Sequence, residues 1–114
     1  MASAESYELT GRCLCGAVRY RITAPPKLMV YCHCTHCRAA SGSSFATNVL
    51  VAPDDLEIVA GSDALGTFES RAGKLRHFCT RCGSPVYNRM ADGSGLLPVR
   101  AGTLDRDPGM RPSR

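Results

Sequence analysis

Phe78-Cys79-Thr80-Arg81-Cys82-Gly83 is the stretch on which the fold turns. Two thiols separated by two residues in a short turn, followed by glycine, make half of a tetrahedral metal site. The other half stands near the start of the chain, at Cys13-Leu14-Cys15-Gly16, where a glycine again follows the pair. Glycine permits the positive φ that a chain needs to turn tightly round an ion. In such a turn backbone N–H groups face the sulfurs and offset their charge. Joined, the pairs give a closed site of Cys13, Cys15, Cys79 and Cys82. That site would clamp an N-terminal strand to a late hairpin, and a staple across so long a loop stabilises most in theory. Structural zinc contributes on the order of 10 kcal/mol to folding, comparable to the net stability of a small domain.

Three cysteines remain, all within Cys32-His33-Cys34-Thr35-His36-Cys37. Closed structural zinc sites use four protein ligands, whereas catalytic ones use three and keep a position open. The division into four and three meets both rules with no thiol left over. The trio's fourth ligand is open at this point: His33 or His36 would seal it as a structural site, and water or a substrate thiol would leave it reactive. Three thiolates on Zn²⁺ carry a net charge of about −1, which makes the ion a poor source of hydroxide and a good host for another sulfur. A thiolate beside a carbonyl carbon adds to it, and the reverse reaction splits a carbon–sulfur bond.

The rest of the composition agrees with a small, metal-stapled chain. Its 114 residues suit one domain, residues 1–114, with a modest core. Four Tyr, three Phe and no Trp leave that core short of large rings, so a staple has work to do. Seven cysteines is an odd number for a disulfide framework. Met1-Ala2-Ser3-Ala4-Glu5-Ser6 has neither the basic patch nor the apolar run of a signal peptide. The expectation is a reduced protein of the cytoplasm, without a membrane span. The formal charge of +4 falls to about +1 once seven thiolates and two divalent ions are counted. Arg12, Arg19, Arg21, Arg38, Arg71, Arg76, Arg81, Arg89 and Arg100 are spread along the chain as solvated charge, which argues against nucleic acid as partner.

Short β-runs fill the spaces between the cysteines. Val18, Tyr20 and Ile22 alternate with Arg19 and Arg21, the period of a half-buried strand. Further strands are predicted at Leu28 to Tyr31, Phe45 to Val51, Leu56 to Ala60, Leu65 to Ser70, Lys74 to Cys79, Val86-Tyr87 and Leu96 to Ala101. Pro25-Pro26, Pro53-Asp54-Asp55, Ala72-Gly73 and Asp92-Gly93 punctuate them as turns. Only Thr35 to Ala40 suits a helical turn, which Ser41-Gly42 would end. The fold class is mostly β, a zinc-stapled domain of six to eight short strands.

These residues together resemble a known family. Gly11 to Tyr20, Cys32-His33-Cys34-Thr35-His36-Cys37-Arg38 with Ser41-Gly42, Phe78 to Pro85 and Ala101-Gly102-Thr103-Leu104-Asp105 are similar to the motifs of the glutathione-dependent formaldehyde-activating enzymes, a family that includes centromere protein V. The resemblance implies a tent-like, Mss4-like β fold. It implies a structural zinc on Cys13, Cys15, Cys79 and Cys82, and a catalytic-type zinc on Cys32, Cys34 and Cys37. It implies carbon–sulfur lyase chemistry with S-(hydroxymethyl)glutathione, hence glutathione as a small-thiol partner. Family members usually continue past the position of Arg111-Pro112-Ser113-Arg114 through a His-containing segment and a further strand.

For the thiol's carboxylates Arg38 is the expected grip, because a guanidinium pairs with a carboxylate bidentately. Ser41 and Asn48 are candidate polar contacts beside it, each with a plainer reading as a helix cap and a strand surface residue. His33 and His36 are expected to be solvated loop residues or proton carriers. Tyr20, Tyr31 and Tyr87 are expected in the core or at its rim. The rival reading is a non-catalytic zinc module that docks protein or nucleic acid.

Overall fold

A computed structural model describes residues 7–112. Met1 to Ser6, on which the leader reading falls, and the closing pair Ser113-Arg114 lie outside the described residues. Among the described residues, nine strands and one short α-helix follow in chain order. They are β1 (Leu9–Arg12), β2 (Arg19–Ile22), β3 (Leu28–Cys32), α1 (Thr35–Ser41), β4 (Ala46–Val51), β5 (Leu56–Ala60), β6 (Leu65–Arg71), β7 (Lys74–Cys79), β8 (Pro85–Met90) and β9 (Leu97–Arg100). The chain is mostly β, as its punctuation predicts.

The strands form two antiparallel sheets. One is three-stranded, in the order β1-β2-β5, and the other six-stranded, in the order β3-β4-β9-β8-β7-β6. Alternation in β2 sorts the side chains as expected: Tyr20 and Ile22 are wholly buried and Arg19 is exposed. These two join Leu9 and Val18 from the smaller sheet region, with Val49, Val51, Val86 and Val99 from the larger, in one hydrophobic cluster. Tyr20 stays satisfied there because its hydroxyl meets Thr103 Oγ1 at 2.6 Å. Tyr87 is partly buried and Tyr31 sits at the rim.

Three local departures from the sequence reading have plain causes. Leu9–Arg12 forms a strand although only Leu9 in it is strongly apolar. It is held by register with β2, where Gly11 faces Tyr20 and leaves the ring room. The strand at Val86-Tyr87 runs longer, from Pro85 to Met90, because it pairs with β7 over most of that length. The strand expected to reach Ala101 ends at Arg100, where the chain tightens into a 3-10 turn over Ala101–Thr103.

Gly61 shows how tightly the smaller sheet closes. It sits at φ 80°, and a Cβ there would run into the backbone carbonyl of Ala17. Gly61→Ala therefore adds left-handed strain to a clash with rigid backbone, and stability should fall by about 3 kcal/mol. Gly83 has nearly the same φ, 81°, with open space round its Cβ position. Gly83→Ala should cost only about 1 kcal/mol, the conformational part alone. Denaturant midpoints of the two variants check the difference.

Candidate metal centres

The turn joining β1 to β2 and the turn joining β7 to β8 meet at one place. There the sulfurs of Cys13, Cys15, Cys79 and Cys82 all lie within 4.8 Å of one another. Cys13 and Cys15 sulfurs are 3.6 Å apart, and those of Cys15 and Cys79 3.8 Å. Four sulfurs at Zn–S distances of about 2.3 Å in a tetrahedron would be spaced about 3.8 Å from each other. A disulfide would need about 2.05 Å, and all seven cysteines are free. The donor set and its spacing fit a tetrahedral thiophilic ion.

The local turns explain why these sulfurs converge. Gly16 and Gly83 both adopt positive φ, 80° and 81°. The Gly16 amide donates to the Cys13 carbonyl at 3.1 Å, and the Gly83 amide to the Cys79 carbonyl at 2.8 Å. The turns aim amides at the sulfurs: Val18 N–H donates to Cys13 Sγ and Arg81 N–H to Cys79 Sγ, each at 3.3 Å. Ser84 joins the two turns. Its hydroxyl accepts from the Leu14 amide at 2.9 Å and lies 3.2 Å from Cys82 Sγ. That contact, with the Ser84 and Cys15 amides, holds the Cys82 thiol down to about 5.

The second cluster forms where β3 runs into α1. The sulfurs of Cys32, Cys34 and Cys37 lie within 4.8 Å of one another, with Cys32 and Cys34 at 3.6 Å. Cys34 caps α1: its sulfur accepts from the Cys37 amide at 3.3 Å. That amide, helped by the neighbouring sulfurs and by the His36 amide, lowers the Cys34 thiol to about 6. Cys37 is the buried residue of α1, and burial together with its neighbour sulfurs pushes its thiol up to about 11. A divalent ion would displace the proton that burial keeps on Cys37. Gly42, at φ 67°, closes the helix as the sequence predicts.

Among the described residues, no histidine or carboxylate shares the trio's 4.8 Å cluster. The His33 ring packs instead against Phe45, with centroids 5.3 Å apart, and against Tyr31 at 6.2 Å. His36 is exposed and lines a cleft of about 450 Å³ between α1 and strands β6 and β7, together with Thr35, Ala39, Phe68, Ser70 and Arg76.

The expected polar contacts fall in different places. Arg38 is exposed on α1. Ser41 lines a second cleft, of about 320 Å³, that also reaches Arg100, but its hydroxyl is engaged locally. It donates to the Arg38 carbonyl at 3.3 Å and accepts from the Ser43 amide at 3.3 Å. Asn48 is buried rather than on the strand surface, and its Oδ1 accepts from Arg100 Nη1 at 3.2 Å.

Two buried arginines beside the trio escaped the sequence reading. Arg76 and Arg100 are only 7% and 6% exposed, so they do not belong to the scattered solvated charge. Arg76 Nη2 donates to Cys37 Sγ at 3.9 Å. The signal that marks them is faint: a single arginine set within Leu75 to Cys79 and within Leu97 to Ala101, runs otherwise rich in apolar residues. The net charge of −1 expected for a loaded three-cysteine site therefore leaves out two cations beside it.

The comparisons with known proteins agree with this geometry. Residues 8–114 match the family model described as "Glutathione-dependent formaldehyde-activating enzyme". A Halomonas elongata protein named "Putative glutathione-dependent formaldehyde-activating enzyme" is 33% identical over 113 residues, which cover 93% of this chain and 71% of that protein. A crystal structure of a Rhodobacter sphaeroides protein superposes with a TM-score of 0.68 over 90% of this chain and 91% of its own, at 23% identity. That likeness establishes the shared fold. With the family model matched over residues 8–114 and a 33% identical relative beside it, the chain belongs to the glutathione-dependent formaldehyde-activating enzyme family.

Proposed function

We propose that the chain, as a single domain over residues 1–114, binds two zinc ions and performs carbon–sulfur lyase chemistry on a small thiol adduct of the S-(hydroxymethyl)glutathione type. The first ion belongs to Cys13, Cys15, Cys79 and Cys82 as a staple between the sheets. The second belongs to Cys32, Cys34 and Cys37. The observation that carries the reading is the trio itself: three sulfurs at metal-ligand spacing with no histidine or carboxylate in their set. Zinc bound there would supply a soft position that holds an incoming sulfur as thiolate.

The chain's own groups do the rest. The Cys37 and His36 amides keep Cys34 ionised at neutral pH. The cleft between α1 and the β6–β7 hairpin, walled by Ala39, Ala40 and Phe68, gives the thiol's body an apolar seat beside the trio. Arg38, exposed on the same helix, grips a carboxylate; Ser41 offers a polar contact only from the neighbouring cleft, and Asn48 acts through the Arg100 it holds. In the forward direction a carbon–sulfur bond forms between the thiol and formaldehyde, and the thiol proton ends on the former carbonyl oxygen. The reverse direction breaks that bond and returns both reactants. Free thiol ligands require a reducing compartment, so the cytoplasm is the proposed location. No helix among the described residues is long and apolar enough to cross a membrane.

Exchange NMR with ¹³C-formaldehyde and glutathione tests the reading. The two-zinc protein at micromolar concentration should speed adduct formation at least about tenfold over the uncatalysed exchange, the low end of what positioned groups give. Protein stripped of zinc at the trio should show the background rate. A fully loaded protein that leaves the exchange rate unchanged refutes the activity.

A further inference from the structure

The six-stranded sheet carries a buried polar stripe to which, among the described residues, no carboxylate is paired. Direct partners in neighbouring strands share a face, as do alternate residues along a strand. Val30 faces Asn48 and Cys32 faces Ala46 between β3 and β4. Asn48 faces Arg100, and Arg76 faces Asn88. Tyr87 faces Val99, so Asn88 and Arg100 stand together on the opposite side. Cys32, Asn48, Arg100, Asn88 and Arg76 thus project from one face across five adjacent strands, the face on which α1 sets Cys37 against Arg76.

A buried guanidinium without an anion is among the costliest groups a protein can hold. Arg76 and Arg100 are both more than nine-tenths buried, and among the described residues neither pairs with a carboxylate. Arg76 Nε and Nη1 and Arg100 Nε also meet no protein acceptor. The anions at hand are the sulfurs of the trio. Arg76 reaches one directly, through Cys37. Burial lowers the proton affinity of Arg100, and the Cys37 thiolate works against that while the Arg76 charge adds to it.

We propose that Arg76 and Arg100 are the fixed counter-charge of the three-cysteine site and select an anionic fourth ligand, a thiolate, over a neutral one. The proposal rests on the trio as a metal site, as read above, and not on formaldehyde as the partner of the reaction. Three thiolates, one divalent ion and two guanidiniums sum to one positive charge, so an incoming thiolate brings the half-buried cluster to neutrality. Without the arginines the same ligand would raise its negative charge from one to two. At an effective dielectric of about 20, a unit charge a few ångströms away changes anion binding by more than about tenfold. Both arginines act on the ligand through the field and through Cys37, and so are positioning residues.

Cobalt-loaded full-length protein provides the test, read through the sulfur-to-metal charge-transfer band. The probes are 2-mercaptoethanol, which binds as a thiolate without carboxylates, and imidazole, which binds neutral. Arg76→Met and Arg100→Met should each weaken 2-mercaptoethanol by at least about tenfold relative to imidazole. Arg76→Lys and Arg100→Lys, which keep the charge, should hold the ratio within about threefold of the wild type. Because the ratio is taken within each protein, a general loss of stability leaves it unmoved, and Gln replaces Met where the Met variant does not fold. An unchanged ratio in the neutral variants overturns the proposal, as does a wild-type site that takes imidazole but no 2-mercaptoethanol. A protein that binds 2-mercaptoethanol in this way yet fails to speed the formaldehyde exchange keeps this inference and loses the lyase reading.

Discussion

Cys82→Ser is expected to unfold the protein at room temperature. The sulfur it removes belongs to the cluster that joins the β1–β2 turn to the β7–β8 turn, and the contact across it spans 64 residues from Cys15 to Cys79. A structural zinc in such a site contributes on the order of 10 kcal/mol, against a net stability of about 5–15 kcal/mol for an ordinary domain. Serine is a poor ligand for zinc beside three thiolates, because the ion favours softer donors. Losing it also leaves three sulfurs, two of them wholly or nearly buried, crowded with no ion to neutralise them. Far-UV circular dichroism should lose its cooperative melt, and metal counting should fall below two equivalents. A variant that melts cooperatively near the wild-type temperature would show that the hydrophobic cluster round Tyr20 and Val49 holds the sheets without the staple.

Much of this arrangement was legible in the sequence, for reasons of local chemistry. Cysteine spacing and the glycines after Cys15 and Cys82 are short-range signals, and they foretell the turns because φ near 80° is open to glycine and costly for other residues. Alternation at Val18, Tyr20 and Ile22 foretells which face of β2 is buried, since a strand has only two faces. What stayed hidden depends on register between distant strands. Leu9–Arg12 becomes a strand through its pairing with β2, and nothing in those four residues announces it. Asn48 reads from the sequence as a strand surface residue because an asparagine amide is ordinarily solvated. It is buried because β9 brings Arg100 opposite, and the two side chains satisfy each other there. Arg76 and Arg100 were hidden for the same reason: arginine is ordinarily solvated, and only an assembled sheet, with Cys37 set against Arg76 and Asn48 against Arg100, buries the two of them.

Cys34→Ser is expected to keep the fold and abolish turnover. Cys34 is exposed, and its one structural duty is to cap α1 by accepting the Cys37 amide at 3.3 Å. Serine is among the best N-cap residues, so the exchange preserves the cap, where alanine would cost about 1 kcal/mol. The hydrophobic cluster contains neither Cys34 nor its neighbours in the loop, so the melting temperature should stay within a few degrees of the wild type. Ligation is a different matter. Serine's hydroxyl stays protonated where the Cys34 thiol, held near 6 by two backbone amides, is a thiolate at neutral pH. The trio then offers two sulfurs, one of them the buried Cys37 whose thiol resists ionisation, and two donors no longer hold zinc against a chelator. One equivalent of zinc should remain, on Cys13, Cys15, Cys79 and Cys82, while the formaldehyde–glutathione exchange falls to its uncatalysed rate. Cys34→Ser and Cys82→Ser thus separate reactivity from folding. If both variants unfold alike, or if Cys34→Ser keeps two zinc ions and full turnover, the two clusters do not divide the work between an open site and a closed one.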